Sequence, residues 1–465
     1  MILATFLTAF VLLAEPATFE RVEGDEEFPV SGRPNLIRGH LQVSESPASQ
    51  RRLALPVAVM EAPETQSARS PIVYIGGGPG IGSLAAARYP GAYPWTSQRD
   101  FIVYARRGTL GAEPSMDCPE LGAAFANTNM ERTLSAVAVC RDRLLAKNVD
   151  LNAYNTQMSA RDLEALREAL GYEKLSLFAL SYGTRLALTY AREYPERVEA
   201  IVLDGPLPHT VSFDEAYPSS VEQVLRAVAE YCVSSHVCDA AHPSLERRFF
   251  EAIDGNLSAD EDGRPSAAQL ALAALPSNLD DVVPAIARME AIAQGDFESL
   301  QDRINAPGGR TNFVWAVRLS VWCSERGESA EAPVSGSGFA GLIGAVFAPD
   351  ICDAWGVAPR PSSELEPLIG DIPTLILAGA LDTLTPPQFC EVALSDLERA
   401  RLVSLPLGFH SGTTNWGGDG RAMSIAAAFF ENPEQVLDRD NMLSCVAGPE
   451  SLDFSALEDE GQRLP

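Results

Sequence analysis

Positive charge is scarce in this 465-residue sequence, where 35 Lys and Arg stand against 63 Asp and Glu and leave a formal net charge of -28. Such a chain repels a phosphate backbone, which argues against a nucleic-acid partner. Histidine is scarcer still, with five residues, His40, His209, His236, His242 and His410, so few positions can act as a base near neutral pH. Metal-ligand spacing is missing too. Cys232 and Cys238 flank His236 without a second ligand pair, and the reading is no metal and no organic cofactor. The glycines of IVYIGGGPG are followed by no Gly-Lys-Ser/Thr and complete no G-x-G-x-x-G, which removes a phosphate-binding loop. The apolar run MILATFLTAFVLLAEPA is too short to span a bilayer comfortably and ends in small residues around Ala14 and Ala17. It reads as a secretory signal peptide over residues 1–17, with no stable membrane span after its removal. No Lys or Arg precedes the run, so a membrane anchor or a buried first strand stays open.

What is present is the composition of a soluble globular protein, 46% apolar and 21% charged, in a chain long enough for one catalytic domain with an insert. An acidic surface would favour substrates with a free amine, and a merely solvated surface explains the same charge. Eight cysteines, an even count, fit an oxidising compartment, periplasmic or extracellular. Sequence does not fix their connectivity. Pairing of chain neighbours is the expectation: Cys118 with Cys140, Cys232 with Cys238, Cys323 with Cys352, and Cys390 with Cys445.

Short apolar runs bounded by turn residues begin at Leu36, Leu53, Ile72, Phe101, Leu175, Ala200, Thr374 and Arg401, and they read as strands. Helical patterns lie between several of them. In ARDLEALREALG, Leu163, Leu166 and Leu170 share one face and Gly171 is placed to end the helix. Strands alternating with helices predict an α/β fold, a mostly parallel sheet with helices on both faces. From about 210 to 365 the pattern is largely helical, with breaks such as PVSGSG. The expected division is therefore a core over 18–210 and 366–465, with a helical cap over 211–365 inserted between its parts.

In LSLFALSYGTRLALTY a strand stops at Ser181 between small residues and a helix begins at once. A nucleophile elbow needs that arrangement, because its tight turn exposes the serine and brings backbones close. A serine that merely caps the following helix is the competing reading. A serine nucleophile needs a base and an orienting carboxylate, in the chain order serine, acid, histidine. His410, in LVSLPLGFHSG, follows a late strand and fits the order. For the acid, Asp382 after TLILAGA is preferred over Asp204 in AIVLDGP, which is expected to bond loop backbone. The oxyanion hole is assigned to the N–H of Tyr182 and of Gly77 or Gly78.

These segments, with RRGTLGAEPSMDCPE and GYEKLSLFALSYGTRLALTYAREYPERVEAIVLDGPLP, resemble the prolyl aminopeptidase and tripeptidyl aminopeptidase family of serine α/β-hydrolases. The resemblance implies the α/β-hydrolase fold with an inserted helical cap, and a triad falling on Ser181, Asp382 and His410. It implies an HGGPG oxyanion segment matched from Gly77 to Gly80, and a cap carboxylate, Glu325 in VWCSERGES, contacting the substrate's free amino terminus. Three departures stand out: Gly76 replaces the histidine, Ala105-Arg106-Arg107-Gly108-Thr109-Leu110 replaces Asp-Gln-Arg-Gly-Thr-Gly, and Ala179 replaces the elbow's first glycine. The function implied is a secreted serine hydrolase that releases residues from the free end of short peptides. A carboxylesterase or amidase on small molecules is the alternative, and a non-catalytic binding protein on the same scaffold a third.

Overall fold

The computed structural model describes residues 16–23, 36–63, 69–125, 130–211, 213–255, 265–304, 313–326, 349–414, 418 and 420–438. Most of the expected signal peptide (residues 1–15), the PVSGSG break and Cys445 lie outside them. Among the described residues nine strands form one sheet: β1 (Thr18–Arg21), β2 (Leu36–Ser44), β3 (Arg52–Met60), β4 (Ile72–Ile75), β5 (Phe101–Tyr104), β6 (Leu175–Leu180), β7 (Val198–Asp204), β8 (Thr374–Gly379) and β9 (Ala400–Leu405). Their order is β1-β2-β3-β5-β4-β6-β7-β8-β9.

From β5 to β9 all neighbours are parallel, whereas β1, β2, β3 and β5 pair antiparallel. Residues 45–51, which join β2 to β3, are too few for the crossover a parallel pair requires. The central strands are buried along their length, as in LSLFAL of β6, which is why they read as unbroken apolar runs. Their side chains alternate between two faces. Leu175, Leu177 and Ala179 pack into one cluster, and Phe178 and Leu180 into the other.

The helices in chain order are α1 (Pro119–Phe125), α2 (Met130–Ala146), α3 (Thr156–Leu170), α4 (Tyr182–Glu193), α5 (Phe213–Ser234), α6 (His236–Ala241), α7 (Leu245–Gly255), α8 (Ala267–Ala274), α9 (Val282–Gln294), α10 (Gln301–Ile304), α11 (Trp315–Ser324), α12 (Pro349–Trp355), α13 (Pro387–Ser395), α14 (Arg421–Glu431) and α15 (Pro433–Leu437). On one face of the sheet lie α3, α4 and α13, and on the other Trp95 and α14. The α3 helix begins where the Asn155 side chain accepts from Met158 N–H and ends at Gly171 with φ 78°.

Between β7 and β8 the described residues are largely helical, but they pack as two bodies. Residues of α5–α9 form one core that reaches Leu381, Leu407 and Phe409. Residues of α11 and α12 pack instead with α1 and α2, over Tyr182. Among the described residues three disulfides lie within these bodies, Cys232–Cys238 in the first and Cys118–Cys140 and Cys323–Cys352 in the second. Cys390 is a buried free thiol, and its expected partner Cys445 lies outside the described residues. Among the described residues no single helix is long and apolar enough to cross a membrane.

Candidate active site

Because β4, β6, β7, β8 and β9 run parallel, their carboxyl ends share one edge of the sheet, and the chemistry-bearing residues leave from that edge. Ser181 follows β6 with φ 55° and ψ -129°, a backbone conformation that costs about 1–3 kcal/mol for a residue with a Cβ. Its side chain makes no capping hydrogen bond to α4, so the helix-cap alternative is not the one adopted. The turn is held by its neighbours. Ser181 N–H donates to Asp204 C=O at 2.9 Å, and Thr184 N–H to Ser181 C=O at 2.9 Å. Gly183 cannot carry a side chain, since a Cβ there would lie 2.1 Å from Ile75 C=O.

His410 lies in the loop after β9, and its Nδ1 is 2.9 Å from Asp382 Oδ2 and 3.0 Å from Oδ1. Asp382, past the end of β8, is 1% exposed. Its Oδ1 accepts from Leu384 N–H and Thr385 N–H, each at 2.8 Å, and its Oδ2 accepts from Thr385 Oγ1 at 2.6 Å. A carboxylate so held can only present one edge to the imidazole, which fixes the ring and favours the proton on Nδ1. Thr385 Oγ1 also lies 3.1 Å from Nδ1.

Asp204, the competing acid, has another job. Its Oδ1 accepts from Gly412 N–H at 2.8 Å, and its Oδ2 from Thr413 N–H at 2.8 Å and from the Thr413 hydroxyl. Burial pushes its carboxyl up, against the pull of those donors and of His410. Through its carbonyl it holds Ser181 and through its carboxylate the loop that carries His410, so one residue couples both partners.

Gly77 stands directly against the serine: a Cβ there would lie 2.9 Å from Ser181 Cβ and 3.3 Å from Oγ. Gly78 has φ 123°, a conformation that favours glycine. Tyr182 opens α4, with its ring buried and its hydroxyl 2.9 Å from Thr156 Oγ1. Arg106 fills the space behind the glycine loop, donating to Gly76, Gly77 and Ile81 carbonyls. Ala105, where the resemblance has a carboxylate, is buried. Arg107 makes a bidentate pair with Asp162, both bonds 2.7 Å, and braces the fold.

Glu325, expected to meet the substrate's amino terminus, lies deep beside α3 and α4. It is buried; its Oε1 accepts from Thr156 N–H at 2.8 Å and its Oε2 lies 3.6 Å from Arg185 Nη1. Burial pushes its carboxyl up, opposed first by Arg185. The grouping of Cys118, Glu120 and Cys140 brings three possible ligands together, but the two sulfurs are joined and offer a metal no thiolate.

Sequence reasoning missed Thr385 and Arg106. The signal for Thr385 was its place three residues after Asp382, where an acidic side chain turns back on its own backbone. For Arg106 it was a second arginine beside the one that braces the fold.

Two family models and several known proteins match parts of this chain. A family model described as alpha/beta hydrolase fold matches residues 70–276, and one described as TAP-like protein matches residues 340–438. Serine protease Hip1 of Mycobacterium tuberculosis (strain ATCC 25618 / H37Rv) is 32% identical over 171 residues, 32% of this chain and 32% of that protein. Putative hydrolase YuaR of Escherichia coli (strain K12) is 25% identical over 240 residues, 45% of this chain and 44% of that protein. Proline iminopeptidase of Neisseria meningitidis serogroup B is 37% identical over 79 residues, 15% of this chain and 26% of that protein. Each match spans less than half of the relative's length.

Proposed function

This chain belongs to the α/β hydrolases, with a TAP-like C-terminal part, and we propose that it is a serine hydrolase that releases residues from the free amino end of short peptides. The observation that carries the chemistry is the strained Ser181, packed against Gly77, on the sheet edge where Asp382 holds His410 Nδ1. Ser181 Oγ attacks the scissile carbonyl as its proton passes to His410 Nε2, and the carbonyl oxygen becomes an oxyanion facing the N–H groups of Tyr182 and Gly77 or Gly78. The carbon–nitrogen bond then breaks and the amine leaves with the proton from His410. Water, deprotonated by the same imidazole, attacks the acyl-serine, and the free serine and a carboxylate result.

The names of the relatives, a serine protease and a proline iminopeptidase, support a peptide substrate. The acidic balance of the chain supports a free amine on it. One observation favours a second reading, a carboxylesterase or amidase: Glu325 is buried, with its Oε1 taken by Thr156 N–H and its Oε2 beside Arg185. Chromogenic amides of one and three residues, free and acetylated at the amino end, separate the two in wild type and Ser181→Ala. Turnover of the free-amine substrates alone, absent in the variant, is the expected result. Equal turnover of acetylated substrates moves the function to the second reading. Three disulfides support a secreted or periplasmic location, since such bonds persist in oxidising compartments.

A further inference from the structure

Arg106 follows β5 by two residues and is 3% exposed. Its Nη1 donates to Gly76 C=O, and its Nη2 to Gly77 C=O at 2.5 Å and Ile81 C=O at 3.1 Å. The guanidinium also lies over the Tyr182 ring, 5.4 Å from its centroid. Among the described residues no carboxylate pairs with it; the adjacent Arg107 has Asp162. Its electrostatic neighbours are Tyr182, Tyr104 and Tyr74, whose phenols burial pushes up, so all three are neutral at working pH. A buried charge without a counter-charge is costly, which asks what it serves.

The peptide plane supplies the answer. In a trans peptide the N–H points opposite to the C=O of the preceding residue, and the peptides joining Gly76 to Gly77 and Gly77 to Gly78 are not among the cis bonds. Anchoring Gly76 C=O on the guanidinium therefore aims Gly77 N–H away from it, and anchoring Gly77 C=O aims Gly78 N–H away likewise. Two successive N–H groups directed to one side form a concavity for an anion, and Ser181 stands against the same Gly77. We propose that Arg106 is a positioning residue for the oxyanion hole, which sets the Gly77 and Gly78 donors and whose uncompensated charge stabilises the oxyanion from behind the loop. This rests on Ser181 being the nucleophile.

The test measures the rate at which a fluorophosphonate labels Ser181 in wild type, Arg106→Lys, Arg106→Gln and Arg106→Met, with Ser181→Ala as control and thermal unfolding of each. Phosphonylation places its phosphoryl oxygen in the same hole, so it reads the hole without a known substrate. The expected result is that Gln and Met variants label about 100-fold more slowly, the effect of losing one oxyanion donor. The fall should lie in the maximal labelling rate rather than in the half-saturating concentration, while Arg106→Lys stays within about tenfold of wild type because its ammonium keeps the charge and has three donors for the same carbonyls. Should the Met variant fail to fold, Gln against Lys carries the comparison. A folded Gln variant that labels at the wild-type rate overturns the proposal, as does a Lys variant as slow as Gln. Wild type that is not labelled at Ser181 removes the nucleophile reading itself, a result distinct from either.

Discussion

Two carboxylates stand near His410, and replacing each by its amide should injure the protein in opposite ways. In Asp382→Asn the amide oxygen can take the Oδ1 place and keep the Leu384 and Thr385 N–H bonds. The amide nitrogen then takes the Oδ2 place and donates to Thr385 Oγ1, which can accept as well as donate. It also donates to His410 Nδ1, and there the change is not neutral: the ring nitrogen must accept, so the imidazole proton moves to Nε2 and the base is lost. Stability should change by about 1 kcal/mol or less, since no bond is left unmade, while kcat falls about 10⁴-fold. In Asp204→Asn neither orientation works, because Gly412 N–H addresses Oδ1 and Thr413 N–H addresses Oδ2. One N–H must face an amide NH₂, a lost charge-assisted bond and an unsatisfied buried donor together costing about 2–4 kcal/mol. Catalysis should fall less, by about 100-fold, from a displaced His410 loop. Urea unfolding and initial rates on a free-amine amide measure both. If Asp204→Asn removes the activity with stability intact while Asp382→Asn lowers the stability and keeps the rate, the assignment of the acid is wrong.

Gly77→Ala should lower kcat by about 100-fold or more, because the new methyl would sit 3.3 Å from Ser181 Oγ and crowd the donor side of the loop. Its cost in urea should stay within the ~1–3 kcal/mol of an overpacked site, and full activity would count against the oxyanion assignment. Burial, with Arg185 and Arg192 nearby, holds His209 well below the usual imidazole range. The unfolded chain therefore binds a proton that the folded one refuses as pH falls through about 6.5, and stability drops by up to ~1.4 kcal/mol per pH unit. His209→Gln should flatten that slope below pH 6.5 and leave the slope above it alone; an unchanged acid slope refutes the attribution. Replacing Cys323 and Cys352 by serine opens a crosslink between residues 29 apart and should cost about 3–4 kcal/mol. An unchanged urea midpoint, or more than two free thiols in denatured wild type, would contradict the disulfide account.

Eight of the nine strands were legible because their apolar runs are buried and bounded by turn residues. The ninth, β1, escaped notice because TFER is largely exposed at the sheet edge and carries no buried alternation. Burial periodicity tells which face of a helix turns inward, not what it meets, so the split of the helical segment into two cores was hidden. The pairing of α2 with α12 joins parts of the chain some two hundred residues apart, and no local pattern encodes it. At the site, chain order pointed to Ser181, Asp382 and His410, since each leaves a strand end. Glu325 was read as reaching a substrate, whereas its depth beside Arg185 follows from how α11 lies on α4, a tertiary fact. Arg106 registered only as part of an altered segment, next to the carboxylate lost at Ala105, because the direction of an arginine cannot be read from its neighbours in sequence.

The central claim is that Ser181 is the nucleophile, and the most direct measurement is to locate the adduct a fluorophosphonate leaves. Tryptic cleavage after Lys174 and Arg185 isolates LSLFALSYGTR, which holds Ser181. The account predicts stoichiometric mass addition to Ser181 within this peptide, abolished in Ser181→Ala and strongly slowed in His410→Ala. Folded wild type that stays unmodified, or an adduct carried by another residue and retained in Ser181→Ala, would contradict it.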